Sequence, residues 1–147
     1  MKGPAFFLLM LGLLAASNAE LIALDQVDSI SSYRLVTIAA NGTRRPVSQT
    51  NATIDFTPGG STVDRKAGVL YLIGQKTFDQ TNVTLVGVSL KTGAVVSTVA
   101  IPLPPNSAGL GLWSSGIDFA ADLGLLVVSY TNASNAHILA TIHPATG

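Results

Sequence analysis

Four Asn-x-Ser/Thr triplets are the residues whose spacing most directly implies a chemistry: Asn41-Gly42-Thr43, Asn51-Ala52-Thr53, Asn82-Val83-Thr84 and Asn132-Ala133-Ser134. In each, the asparagine amide nitrogen can carry an N-linked glycan. The transferred sugar is bulky and solvated, so its acceptor must sit on an accessible loop. All four fall at turns or loops between the strands predicted below. One such triplet arises easily by chance. Four behind a secretory leader are a stronger signal, set against the plain alternative of ordinary Asn/Thr turn residues.

The remaining chemistry-bearing side chains are few. Thr62-Val63-Asp64 is followed by Gly68 and the apolar run Val69–Ile73, and Gly116-Ile117-Asp118 by Gly124 and Leu125–Val128. As ligands, Asp64 and Asp118 would line a shared channel. As turn anchors, each carboxylate would accept backbone N–H groups between two strands. Repetition favours anchors, because turn anchors repeat and catalytic groups need not. His137 and His143 share a face of one strand candidate, but zinc takes three or four ligands in closing geometry and no third stands nearby. Trp113, the only tryptophan, could stack a sugar or peptide, though packing between repeats is the simpler role. Arg44-Arg45 is a short solvated pair. Ser114-Ser115-Gly116 lacks the G-x-S-x-G elbow of a hydrolase. There is no phosphate-binding loop, dinucleotide fingerprint or calcium loop, and with no cysteine thiol chemistry is excluded. The sequence names no catalytic residue, no metal ligand and no cofactor.

Composition narrows the partners. Of 147 residues, 48% are hydrophobic and 11% charged, with zero formal net charge; a soluble domain is ordinarily about 25% charged. Ser, Thr, Asn and Gln must therefore cover much of the surface. Nothing here attracts nucleic acid or an anionic membrane. Residues 1–19 read as a signal peptide: Lys2 is the basic region, Ala5–Ala16 the apolar core and Ser17-Asn18-Ala19 the cleavage site. That apolar core is shorter than the roughly 20 residues a bilayer span requires. The expectation is a secreted, extracellular chain starting near Glu20, with no membrane span beyond the signal peptide.

The element that would position these residues is the stretch Thr84–Ile101. Val86, Val88 and Leu90 alternate with Gly87 and Ser89, Lys91-Thr92-Gly93 turns, and Val95, Val96, Val99 and Ile101 continue on the far side. Period-2 alternation around a glycine turn predicts a β-hairpin. The pattern recurs in Tyr33–Gly42 and Ile138–Gly147, so the turn glycines return at intervals of about 50 residues, a period typical of propeller blades. Aligned on those glycines, Leu35, Val86 and Ala140 fall at one position, and Asp64 stands as far from Gly93 as Asp118 does from Gly147. Further strands are predicted at Val47–Gln49, Ala52–Phe56, Ser61–Asp64, Val69–Ile73, Leu112–Phe119, Leu123–Tyr130 and His137–His143. Pro58-Gly59-Gly60 breaks the run before Ser61. Glu20–Ser32 is an opening strand or a lead-in. Outside the leader no segment shows helical periodicity, and the class is all-β.

The D-x-x-x-G-x-L-Y run at Asp64–Tyr71, with the Lys91-Thr92-Gly93 hairpin, resembles repeats of secreted β-propellers of the YVTN/quinoprotein-like and lactonase-like styles. The resemblance covers Tyr33–Gly147. It implies a partial β-propeller of about two and a half blades over residues 20–147, an N-terminal fragment truncated at the C-terminus whose first blade lacks its inner strands. A β-sandwich is the alternative. Quinoprotein blades carry a tryptophan docking motif, and one tryptophan in all argues against a quinone. The function implied is a non-enzymatic binding or interaction module for an extracellular protein or carbohydrate ligand, with Gln75–Asn82 and Pro102–Gly111 as its candidate surface. The alternative is a fragment of a lactonase-like or other hydrolytic propeller enzyme.

Overall fold

The computed structural model describes residues 9–11, 21–27, 32–47, 54–55, 57–75, 83–101, 116–131 and 136–147. These are all-β. The strands are β1 (Leu9–Leu11), β2 (Leu21–Gln26), β3 (Ser32–Ile38), β4 (Arg44–Pro46), β5 (Ile54–Asp55), β6 (Thr57–Asp64), β7 (Val69–Gln75), β8 (Val83–Ser89), β9 (Val95–Ile101), β10 (Ile117–Ala120), β11 (Leu125–Thr131) and β12 (His137–Ile142). They form three antiparallel sheets: a first of β1-β2-β3-β4 with β5 also on β3, a central β6-β7-β8-β9, and a third of β10-β11-β12.

The central sheet shows how β-branched alternation becomes architecture. Leu70, Leu72, Val86 and Val88 point to one face and pack with Leu24, Leu35 and Ile54 of the first sheet. Ile73, Val83 and Leu85 point to the other and pack with Leu126, Val128 and Ile142 of the third. Sequence alternation predicts one buried face for the hairpin, yet both faces of β8 are apolar and both are covered. That is why Val83–Ser89 carries so little polar alternation. On the flank towards the third sheet, the rings of Tyr71 and Phe119 lie 5.9 Å apart, and β10 runs beside β6.

Tight turns fix the registers. Gly93 (φ 68°) donates its N–H to the Ser89 carbonyl, and Gly147 (φ 88°) does the same to His143. In the first sheet Gly42 (φ 80°) reaches Ala39 instead, one residue closer. That shorter turn corrects the alignment by turn glycine. Ser89, His143 and Ala39 are equivalent, so the position shared with Val86 and Ala140 belongs to Val36, and Leu35 shares its position with Leu85 and Leu139.

Other expectations shift too. Glu20–Ser32 does contain a strand, β2, which pairs along β3 from Leu21↔Ile38 to Gln26↔Tyr33. The first sheet therefore has an inner strand of its own. Beyond it β1, inside the predicted leader, pairs as Leu9↔Leu24 and Leu11↔Ile22. Beyond the Gly42 turn β3 pairs with Arg44–Pro46, one step earlier than the predicted Val47–Gln49, of which Ser48 and Gln49 lie outside the described residues. As an outer strand it tolerates Pro46, which donates no ladder hydrogen bond. Pro58-Gly59-Gly60 does not break β6; the strand runs through it, with the register slipping between Pro58 and Gly60, as a β-bulge permits.

Candidate functional site

Asn41 is the sequon asparagine among the described residues, and it is exposed in the β3–β4 turn. Its Oδ1 accepts the Thr43 backbone N–H at 3.0 Å. A backbone N–H can pair only with the amide oxygen, so this bond leaves the nitrogen, the atom that carries a glycan, out of the contact. Thr92 makes the corresponding bond in the β8–β9 turn, its Oγ1 accepting from Ala94 at 3.3 Å. Asn41 thus does ordinary turn work while remaining accessible, and the two roles are compatible. Asn51, Asn82 and Asn132 lie outside the described residues.

The two aspartates part company. Asp64 Oδ1 accepts the backbone N–H groups of Lys66 (2.9 Å) and Ala67 (3.0 Å), the anchor geometry read from the repeat. Asp118 does not occupy the same place. Asp64 pairs with Val69 across its turn, whereas the residue pairing with Leu125 is Ala120. The structural counterpart of Asp118 is therefore Thr62, two residues earlier. The two aspartates stand at the same distance from the following turn glycine, which makes them look equivalent. A shorter connection between the later strands cancelled the offset. Asp118 Oδ1 accepts the Phe119 N–H at 2.8 Å and lies 3.4 Å from the Thr62 hydroxyl, a long bond between sheets. Tyr71 stands on this seam with its pKa raised from the ordinary 10.0, first by burial and then by the nearby Asp64 charge. A phenol held neutral there is a hydrogen-bonding group, not a base.

The histidines do not converge. His137 opens β12, where it pairs with Thr131, and His143 lies past the strand's end, where its Nδ1 accepts the Ala145 N–H at 3.2 Å. Six positions along a strand is roughly 20 Å, too far for a shared ion. Among the described residues no three His, Cys, Asp or Glu side chains gather to hold a metal. Trp113, Ser114 and Ser115 lie outside the described residues.

One cluster went unread in the sequence. Asp25 on β2 stands opposite Arg34 on β3. It pairs with Arg34 Nη2 at 3.1 Å through one carboxylate oxygen and with Arg44 Nη1 at 2.7 Å through the other. Arg44 is therefore half of an ion pair, not a free solvated cation. The Asp25 side chain is 13% exposed, but those of Arg34 and Arg44 are 36% and 39% exposed, so solvent screens both bonds and each is a modest contribution. The cluster clamps the first sheet. Without a strand assignment for β2, no register could have placed Asp25 against Arg34.

The chain matches no protein-family model, no curated protein and no solved structure.

Proposed function

We propose that this chain is part of a secreted, N-glycosylated β-propeller-like protein that binds an extracellular protein or carbohydrate through its loops. The observation that carries the reading is the repeated stacking: successive small antiparallel sheets, built around equivalent glycine turns, each covering the apolar face of the one before. Blades stacked in this way leave recognition to the connections between strands. The ends of β7 and β9 that lead into 76–82 and 102–115 lie at the same end of the central sheet, opposite its two tight turns, because four antiparallel strands alternate in direction. The two segments with the composition of a binding surface thus leave from one edge. Asn41 is accessible for a glycan elsewhere, in the β3–β4 turn.

The test is secretion of the full chain from a glycosylating host. The expected product begins near Glu20 and loses mass on endoglycosidase treatment, and Asn41→Gln removes one step of that loss. Binding to a glycan or extracellular-protein array should fall when 102–111 is replaced by Gly and Ser. An intracellular, unglycosylated product would end the reading. Turnover of a lactone by the same preparation would move it to the hydrolytic propellers.

A further inference from the structure

Asn41 offers a second chemistry besides the glycan, because the residue after it is Gly42. This is the chain's single Asn-Gly pair; the other asparagines precede alanine, serine or valine. The backbone nitrogen of the next residue can attack an asparagine side chain at Cγ, and a side chain on that residue hinders the approach. Glycine has no Cβ to do so. At Gly42 even an added Cβ would meet nothing within 4 Å, so the surroundings leave the approach open as well. Asn41, Gly42 and Thr43 are all exposed, and water reaches the site. Asn41 Oδ1 accepts the Thr43 N–H at 3.0 Å. That bond keeps the side chain folded over the intervening Gly42 peptide and polarises its carbonyl towards attack. One contact opposes the step. The Gly42 N–H donates to the Ala39 carbonyl at 2.8 Å, and the nitrogen must shed that proton to attack, so the turn has to open first. It leads into β4, a three-residue strand at the end of its sheet, the kind of element that opens locally while the rest stays folded.

We propose that Asn41 is a site of succinimide-forming deamidation, and that deamidation and glycan transfer are exclusive fates of its one amide nitrogen. Gly42 N gives its proton to hydroxide and bonds to Asn41 Cγ. The Cγ–Nδ2 bond breaks, and Nδ2 leaves as ammonia with a proton from water. Water then opens the ring. Breaking the new bond to Cγ yields aspartate; breaking the original bond from the Asn41 main-chain carbonyl carbon to Gly42 N yields isoaspartate. Isoaspartate lengthens the backbone inside the turn, so the Thr37↔Arg45 and Ile38↔Arg44 pairs next to it lose their register. A glycan on Nδ2 turns the leaving group into a bulky glycosylamine and blocks the step, and once Nδ2 is gone no acceptor remains. The exclusivity rests on the glycosylation reading; the deamidation rests on the turn alone.

Peptide mapping of the full chain, secreted from a glycosylating host and incubated at mildly alkaline pH, tests this. Thr43→Ala is run beside it, since that variant loses the sequon but keeps the Asn-Gly pair and every backbone donor. Glycans are trimmed with an endoglycosidase that leaves one sugar on each asparagine, so release itself makes no aspartate. In Thr43→Ala, Asn41 should gain about one dalton at a rate at least about tenfold above Asn106 or Asn135, which precede residues with a Cβ. The product should contain both aspartate and isoaspartate, while the glycosylated fraction of the parent stays unconverted. Conversion no faster than at Asn106 would overturn the proposal. So would aspartate without isoaspartate, the mark of direct hydrolysis, or a glycosylated fraction that converts as fast as the bare one. A parent chain that carries no sugar at Asn41 and converts there would support the deamidation while ending the glycosylation reading at this position.

Discussion

The central and third sheets are built on one plan and differ in what lies upon them. Gly93 and Gly147 close equivalent turns, and β8 and β12 pair with β7 and β11 in matching registers. Yet Leu85 is sealed and Leu139 bare. Burial here is a property of the neighbouring sheet, not of the strand that carries the side chain. The largest expected effect follows directly. Leu85→Ala should cost about 2–5 kcal/mol, as deletion of a fully buried leucine does, while Leu139→Ala should change stability by less than about 0.5 kcal/mol. Urea denaturation of both variants reads the contrast. Equal costs would mean that the third sheet's outer face is covered after all.

A second pair sharpens the point. Gly87 and Thr141 occupy equivalent positions, opposite Tyr71 and Val127. At Gly87 an added Cβ would collide with Ser97 Oγ from β9 and lie 3.4 Å from both Tyr71 and Val69. In the third sheet threonine stands exposed at the same slot. Gly87→Val should therefore destabilise by about 1–3 kcal/mol through overpacking. Combining it with Ser97→Ala should recover part of that loss, since Tyr71 and Val69 still crowd the larger side chain. Thr141→Gly should cost under about 1 kcal/mol, a strand-propensity effect alone. Thermal melts of the three variants separate crowding from propensity.

The turns give a third contrast. Asp64 holds two backbone N–H groups of the β6–β7 turn, and its counterpart Ala120 has no such side chain. Asp64→Ala should cost about 1 kcal/mol for the lost bonds. Ala120→Asp, which offers the β10–β11 turn the same anchor, should be neutral or stabilising by a few tenths. A loss of stability from Ala120→Asp would show that the two turns differ in backbone geometry and not only in side chain.

Much of this plan is legible in the residues. The hairpin about Gly93, the period of about 50 residues, the all-β class and the anchoring role of Asp64 all follow from alternation and turn chemistry, which are local signals. What escaped is what depends on counting across loops. The one-residue shorter turn before Gly42 hid the kinship of Leu35 with Leu85. The offset between Asp64 and Asp118 was masked by a compensating change further on. Arg44-Arg45-Pro46 looks nothing like a strand, and becomes one because an outer position asks little of its side chains or of proline's missing N–H. Asp25 and Arg34 meet only once β2 is known to be a strand. Local physics writes the elements; register and partner choice are settled by packing between them.

The smallest expected effect lies at the seam between these two sheets, where Tyr71 stands at the position that Val127 holds on the open face. Burial and the Asp64 charge raise the phenol's pKa above its ordinary 10.0. Because the folded-state value is the higher one, the unfolded chain ionises first as pH rises. The stability tied to the neutral phenol is thus complete below about pH 10 and drains away as pH climbs through the raised folded value. Tyr71→Phe removes the titration while keeping the ring against Phe119. The fall in thermal midpoint above pH 10 should be shallower in Tyr71→Phe than in the parent, with no difference at neutral pH beyond a constant offset. Asp64→Asn removes the lesser cause and leaves the greater, so its alkaline slope should lie between the two. Were Asp64→Asn to flatten the slope as fully as Tyr71→Phe, charge would dominate over burial. The seam would then be wetter than the packing of Tyr71 against the third sheet implies.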